Sequence, residues 1–181
     1  MSGFRHLGDV VLHDGHVISL SRSTFEAPDG STFERDIVRH PGAVSVVPLL
    51  DDGDVVLVRQ YRAAVDEMLL EIPAGKRDVP GEATEVTAQR ELVEEVGFRA
   101  GRLDLLVRFR NSVGFSDEES FVYLGRDLTE APMDRQGIEE SYMEIVRVPL
   151  TATPAMIRDG SITDAKTVIG LSLAVTTLSS G

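Results

Sequence analysis

A chain of 181 residues with 42% hydrophobic side chains is long enough for one substantial domain, or for a domain with a small extension, around a real core. Thirty acidic against 18 basic residues give a formal net charge of -12, which disfavours any surface that tracks a nucleic-acid backbone or an anionic membrane. With no cysteine, disulfides and thiolate metal sites are excluded, and an anionic ligand would have to be drawn in by something other than net charge, for which bound divalent cations are the usual device.

The opening residues, "MSGFRHLGDVVLHDG", lack the basic and apolar run of a signal peptide. No later apolar stretch is long enough to span a bilayer, so the expectation is a soluble, cytoplasmic protein. The runs "VVLHDGHVISL", "STFEAPDGSTFERDIVRH" and "AVSVVPLLDDGDVVLVRQYR" read as strands. The pairs Asp14-Gly15, Asp29-Gly30 and Asp52-Gly53 interrupt them as hairpin turns do, which predicts antiparallel sheet over this half. A boundary at "RHPGA" divides the chain into residues 1–40, a small antiparallel β-domain, and residues 41–181, the main domain. After "MLLEIPAG", Pro80-Gly81 breaks the chain, and residues from about Thr84 to Val96 have helical spacing closed by Gly97. Strand-like runs return at "RLDLLVRFR", "ESFVYLG" and "SYMEIVRVPL", with the turn-rich "NSVGFSDE" between the first two. The end predicts a short helix stopped by Gly160 and a longer one from about Thr163. The fold class is α+β, mixed rather than a regular βαβ alternation. The histidines, His6, His13, His16 and His40, have no ligand spacing.

The helix over "EVTAQRELVEEV" is the part with chemical potential. At about 100° per residue, Val86, Ala88, Leu92, Val93 and Val96 share one broad arc, and Glu91, Glu94 and Glu95 share the other. Glutamates at this spacing repel one another by about a few tenths of a kcal/mol per exposed pair, and Arg90, one turn before Glu94, offsets part of that. Taken alone, the helix is either an acidic solvated face or a set of oxygen ligands able to hold Mg²⁺ or Mn²⁺.

Its context separates the two. In "GKRDVPGEATEVTAQRELVEEVGF", the residues Gly75, Glu82, Arg90, Glu91, Leu92, Glu94, Glu95, Gly97 and Phe98 follow the order of the Nudix box, with one extra residue between Gly75 and Glu82. The stretch resembles that signature, which marks hydrolases of nucleoside diphosphates linked to another group. The resemblance implies a Nudix fold, a mixed β-sheet between helices in an α/β/α sandwich, beside the small N-terminal sheet. It implies two to three Mg²⁺ (or Mn²⁺) ions held by Glu91, Glu95 and the backbone carbonyl of Ala74. Glu94 would bind a cation or polarise a water beside it, and Gly75, Glu82, Arg90 and Gly97 would keep the box in shape.

Resemblance extends over roughly residues 10–178. The segments "FERDIVRHPGAVSVVPL", "VRQYR", "LEIPAG" and "GFSDE" look like the ADP-ribose pyrophosphatase branch, whose members hydrolyse ADP-ribose to AMP and ribose 5-phosphate. Its implications are a homodimer that exchanges the N-terminal strands, Glu118 as the general base, Arg35 and Arg62 on the phosphates or ribose, and Glu71 as an acceptor for a substrate hydroxyl. By their own chemistry these residues are equally an acidic turn, surface ion pairs and a strand-end charge. Relatives usually carry proline where this chain has Val113, which keeps other substrates in play: a sugar nucleotide, a dinucleotide or a flavin nucleotide. A non-catalytic ADP-ribose-binding module is a further alternative, though such modules typically lose box glutamates and this chain has them all.

Overall fold

The computed structural model describes residues 3–135 and 138–179. The chain forms two compact units, Met1–Gly42 with Phe109–Glu119, and Ala43–Arg108 with Ser120–Gly181. A division at residue 40 leaves out the second piece of the first unit, the segment around "NSVGFSDE".

In the first unit, β1 (Arg5–Asp14), β2 (Ser19–Glu26) and β3 (Thr32–Arg39) make an antiparallel meander in that order. The Asp14-Gly15 turn closes with Gly15 N–H donating to Ile18 O at 2.9 Å, and the Asp29-Gly30 turn with Gly30 N–H donating to Ala27 O at 2.9 Å. Gly30 has φ 84°, a left-handed conformation that glycine adopts without strain. Phe25 and Phe33 face each other across β2 and β3 with stacked rings 5.5 Å apart. Every residue of β1 is exposed, including Leu7, Val10, Val11 and Leu12.

The second unit starts with β4 (Ala43–Pro48), β5 (Asp54–Arg62), β6 (Glu67–Glu71) and β7 (Ala74–Lys76), followed by α1 (Thr84–Val96). Then come β8 (Phe98–Arg110), β9 (Glu119–Glu130), α2 (Ile138–Ser141), β10 (Glu144–Pro149), α3 (Thr153–Arg158) and α4 (Ala165–Ser179). One sheet has the order β7-β4-β9-β8 and another β10-β5-β6. β4 runs antiparallel to β7 but parallel to β9, so the purely antiparallel expectation for the first half does not hold. The reason is in the composition of "AVSVVP": apolar on both faces and buried from Val44 to Pro48, β4 needs a central place with both edges paired. Asp52-Gly53 still makes a tight turn, with Gly53 N–H donating to Leu50 O at 3.0 Å. It closes a short antiparallel pairing, with a bridge between Leu49 and Val55, although β4 and β5 go on into two different sheets.

Side chains alternate along β4. Val44 and Val46 pack with Tyr123 of β9 against Ala88, Leu92 and Val96 of α1. On the other face, Gly170 of α4 lies so close that an added Cβ would meet Val122 Cγ1 at 2.9 Å and Val47 Cγ2 at 3.1 Å. The sheet is therefore covered by α1 on one side and α4 on the other, the α/β/α arrangement of a Nudix fold.

α1 has the bounds its spacing predicts, and Gly97, at φ 71°, caps it. Two members of the expected apolar arc are misplaced: Val86 is 55% exposed and Val93 only half-buried, while Thr87 and Glu95 are buried. A helical turn, α2, occupies Ile138–Ser141, so the strand expected from Ser141 begins at Glu144. Asp164 caps α4 through its Oδ2, which accepts from Thr167 N–H at 3.0 Å and Thr167 Oγ1 at 2.6 Å.

Candidate active site

The packing of α1 on β7 brings two box glutamates to one stretch of backbone. Glu95 Oε2 accepts from Ala74 N–H at 2.9 Å, and the residue is 4% exposed. Glu91 lies over Gly75, where an added Cβ would fall 1.9 Å from Glu91 Cδ. Glycine is required here by close approach. The face is thus no solvated acidic stripe: burial pushes Glu91 up to about 7 against the pull of Arg90, and Glu95 up to about 8 against the Ala74 hydrogen bond.

Arg90 gathers the remaining carboxylates. Its Nη1 donates to Glu91 Oε1 at 2.8 Å and Glu94 Oε2 at 3.3 Å, and its Nη2 to Glu82 Oε2 at 3.4 Å. Glu82 Oε2 also accepts from Thr87 Oγ1 at 2.6 Å, which ties the loop before α1 to its first turn. The extra loop residue between Gly75 and Glu82 has not displaced Glu82 from Arg90.

Among the described residues, no three carboxylate or imidazole groups converge as a finished metal cage. What fits a cation is the donor chemistry: oxygen groups alone, with Glu91 and Glu95 brought to the Ala74–Gly75 backbone, the kind of donor Mg²⁺ and Mn²⁺ take.

Arg62, at the end of β5, reaches back along the antiparallel ladder to Glu71, at the end of β6. Arg62 Nε donates to Glu71 Oε1 at 2.8 Å and Nη2 to Oε2 at 2.7 Å, a two-pronged pair. Glu71 is 1% exposed and also receives Lys166 Nζ of α4. Burial alone would push Glu71 up, but Arg62 and Lys166 outweigh it and hold the carboxyl below its ordinary value. Lys166 also donates to Asp164 Oδ2 at 2.9 Å, and Ile72 N–H donates to Thr167 Oγ1 at 3.0 Å. The start of α4 therefore grips the Glu71–Ile72 backbone just ahead of Ala74.

In the first unit, the Arg35 guanidinium lies 4.8 Å from the Phe33 ring centroid and lines a cleft of about 480 Å³ with Phe4, Phe25, Arg39 and Phe115. Glu118 belongs to the same unit; its Oε1 is 3.8 Å from His40 Nδ1 and its N–H donates to Ser116 Oγ at 3.2 Å. Lys166, Thr167, Thr87 and Asp117 were not singled out in the sequence. Only "TDAKT" carried a signal, an aspartate placed to cap a helix, and it says nothing of what Lys166 would touch.

A two-layered helical cover on a mixed sheet, with a loop-helix box that buries two glutamates against a glycine, defines a class. The chain belongs to the NUDIX family, whose domain matches residues 39–165. It is 36% identical over 160 residues to the ADP-ribose pyrophosphatase of Bacillus subtilis, covering 88% of this chain and 86% of that one. It is 35% identical over 178 residues to the ADP-ribose pyrophosphatase of Mycobacterium tuberculosis, covering 98% of this chain and 86% of that one. A solved structure described as "Crystal structure of ADP compounds hydrolase" shares the fold with a TM-score of 0.84 at 24% identity, over 98% of this chain and 95% of its own. Among the described residues, no helix is long and apolar enough to cross a membrane.

Proposed function

We propose that this NUDIX enzyme hydrolyses the diphosphate bond of ADP-ribose, giving AMP and ribose 5-phosphate. The observation that carries this reading is the gathering of Glu91 and Glu95 at the Ala74–Gly75 backbone, an oxygen-donor surface in an otherwise acidic protein. Relatives named ADP-ribose pyrophosphatase match nearly the whole chain.

Glu91, Glu95 and the Ala74 carbonyl would hold two to three Mg²⁺ or Mn²⁺ ions, with Glu94 binding a cation or polarising a water. When bound, the cations neutralise the diphosphate and polarise its oxygens, which lets a nucleophile approach phosphorus. Glu118 takes the proton of the attacking water as general base. The new P–O bond forms as the anhydride P–O bond breaks, and the second phosphate leaves. Arg62 contacts the phosphates or ribose through the face that Glu71 leaves open; its side chain is 42% exposed. Glu71 is 1% exposed with both oxygens taken by Arg62 and Lys166, so its part is to order that arginine rather than to accept from a substrate hydroxyl. Arg35, beside Phe33, offers a cationic and aromatic surface suited to a nucleotide. The exposed apolar residues Val10, Val11 and Leu12 of β1 support a homodimer in which the N-terminal strands meet or exchange.

Hydrolysis of another nucleoside diphosphate derivative, such as a sugar nucleotide, a dinucleotide or a flavin nucleotide, is the second reading, favoured by Val113 in place of the branch's usual proline. A panel of these compounds with Mg²⁺ or Mn²⁺, with products identified, decides between them. AMP and ribose 5-phosphate from ADP-ribose support the first reading; a strong preference for a nucleoside triphosphate overturns the branch. In the same assay, Glu91→Gln and Glu95→Gln abolish turnover with little loss of fold, and a near-wild-type rate for either at limiting Mg²⁺ removes the metal platform.

A further inference from the structure

The segment that carries Glu118 is zipped to the free edge of β3. Val38 N–H donates to Phe115 O at 2.7 Å, and Asp117 N–H donates to Val38 O at 3.2 Å, with a parallel bridge between Val38 and Ser116. The Asp117 side chain then closes the join: Oδ2 accepts from Arg39 Nη1 at 3.1 Å and Oδ1 from His40 N–H at 3.0 Å. Both carboxylate oxygens are used, so the residue before Glu118 is held by backbone and side chain alike.

Arg39 is itself anchored. Its Nη2 donates to Asp9 Oδ2 of β1 at 2.9 Å and to Ser23 Oγ of β2 at 3.3 Å. Ser23 is 0% exposed and donates to Asp9 Oδ1 at 2.5 Å. One guanidinium thus ties all three strands to the loop. The Ser23 hydrogen bond, with those of His6 and Arg39, holds Asp9 at about 2, so the anchor keeps its charge at any working pH. Glu118 has far lighter constraints. His40 Nδ1 accepts from Gly42 N–H at 3.0 Å and so has no proton to give the Glu118 carboxylate 3.8 Å away. The direction of Glu118 therefore follows from the backbone that Asp117 fixes.

We propose that Arg39 and Asp117 are positioning residues that act through Glu118: the N-terminal sheet sets the rate of the reaction by holding the loop in register, apart from any part it plays in joining subunits. This rests on the reading of Glu118 as the base. Displacing a reacting group by about 1 Å costs on the order of 100-fold in rate without weakening substrate binding, so the clasp should appear in kcat and not in KM.

The test is a double-mutant cycle on the full chain with ADP-ribose and Mg²⁺, pairing Asp117→Ala with Glu118→Gln and following kcat, KM, oligomeric mass and melting temperature. Asp117→Ala should lower kcat by roughly 10- to 100-fold with KM within about twofold and unchanged mass, and should have almost no further effect once Glu118 is Gln. Asp117→Asn, which keeps the His40 bond and loses the Arg39 charge, should fall between the two, and Arg39→Lys should recover part of the loss of Arg39→Met. If Asp117→Ala does not fold, Asp117→Asn takes its place in the cycle. An equal loss in both Glu118 backgrounds, or a loss confined to KM or to subunit mass, overturns the clasp. A wild-type rate for Glu118→Gln overturns the base assignment instead.

Discussion

Gly75 and Glu91 compete for one volume: the carboxylate of Glu91 stands where any Cβ on residue 75 would have to be, 1.9 Å from Glu91 Cδ. The glycine is therefore the other half of the glutamate's binding surface. Gly75→Ala should push Glu91 off the β7 backbone and lower turnover by roughly 100-fold or more, because a displaced ligand spoils geometry at the reacting centre. Since Glu91 sits at the edge of the core rather than in it, the melting temperature should move little. Steady-state kinetics and thermal melts on the same preparation check both halves; an active Gly75→Ala would mean that Glu91 can work from another rotamer.

The Arg62–Glu71–Lys166 cluster should leave a signature in acid. Glu71 has a folded-state pKa below its unfolded value, so the folded state is favoured while the carboxylate is charged. That contribution is complete above the unfolded value of about 4.5 and is lost as pH falls through the lowered folded value. Glu71→Gln should flatten this acid limb in pH-dependent melts and should cost about 2 kcal/mol near neutral pH, because Arg62 loses its two-pronged partner and Lys166 keeps only Asp164. Lys166→Met removes one of the cations that hold Glu71 charged, so its acid limb should be shallower than that of the wild type and should end at higher pH.

β1 presents Val10, Val11 and Leu12 to solvent on successive positions, so both of its faces are apolar and uncovered. A strand like this invites a partner. The chain should run at twice its 19.7 kDa mass in light scattering, and Val10→Lys with Leu12→Lys should return it to one. A wild-type protein that is monomeric at all concentrations removes the dimer proposal.

Gly97 ends α1 at φ 71°, and an added Cβ would meet Met133 Cγ at 2.7 Å and Ala131 O at 3.1 Å. Gly97→Ala should destabilise the fold by about 2 kcal/mol from the left-handed backbone and the clash together. Denaturant melts would register it as a shift in midpoint without a change in slope.

Much of this protein is legible along the chain because the signals are local. The limits of α1, its glycine cap, the first two hairpin turns and the ordered glutamates of the box depend on residues within a turn or two of each other. Pairing and enclosure are not local. That β4 would lie parallel to β9, that Asp52-Gly53 would join two sheets, and that Val86 would face solvent while Glu95 went inside all depend on which distant surfaces cover which faces. The same holds for the site. The resemblance of the ordered residues to the Nudix box marked Glu91 and Glu95 as candidates, but only the packing of α1 on β7 put them against Gly75 and Ala74. Lys166 is 95 residues from Glu71, and Asp117 is 78 from Arg39. Such partners are chosen by the burial of a charge that then needs an opposite one, a demand that exists only once the chain has folded.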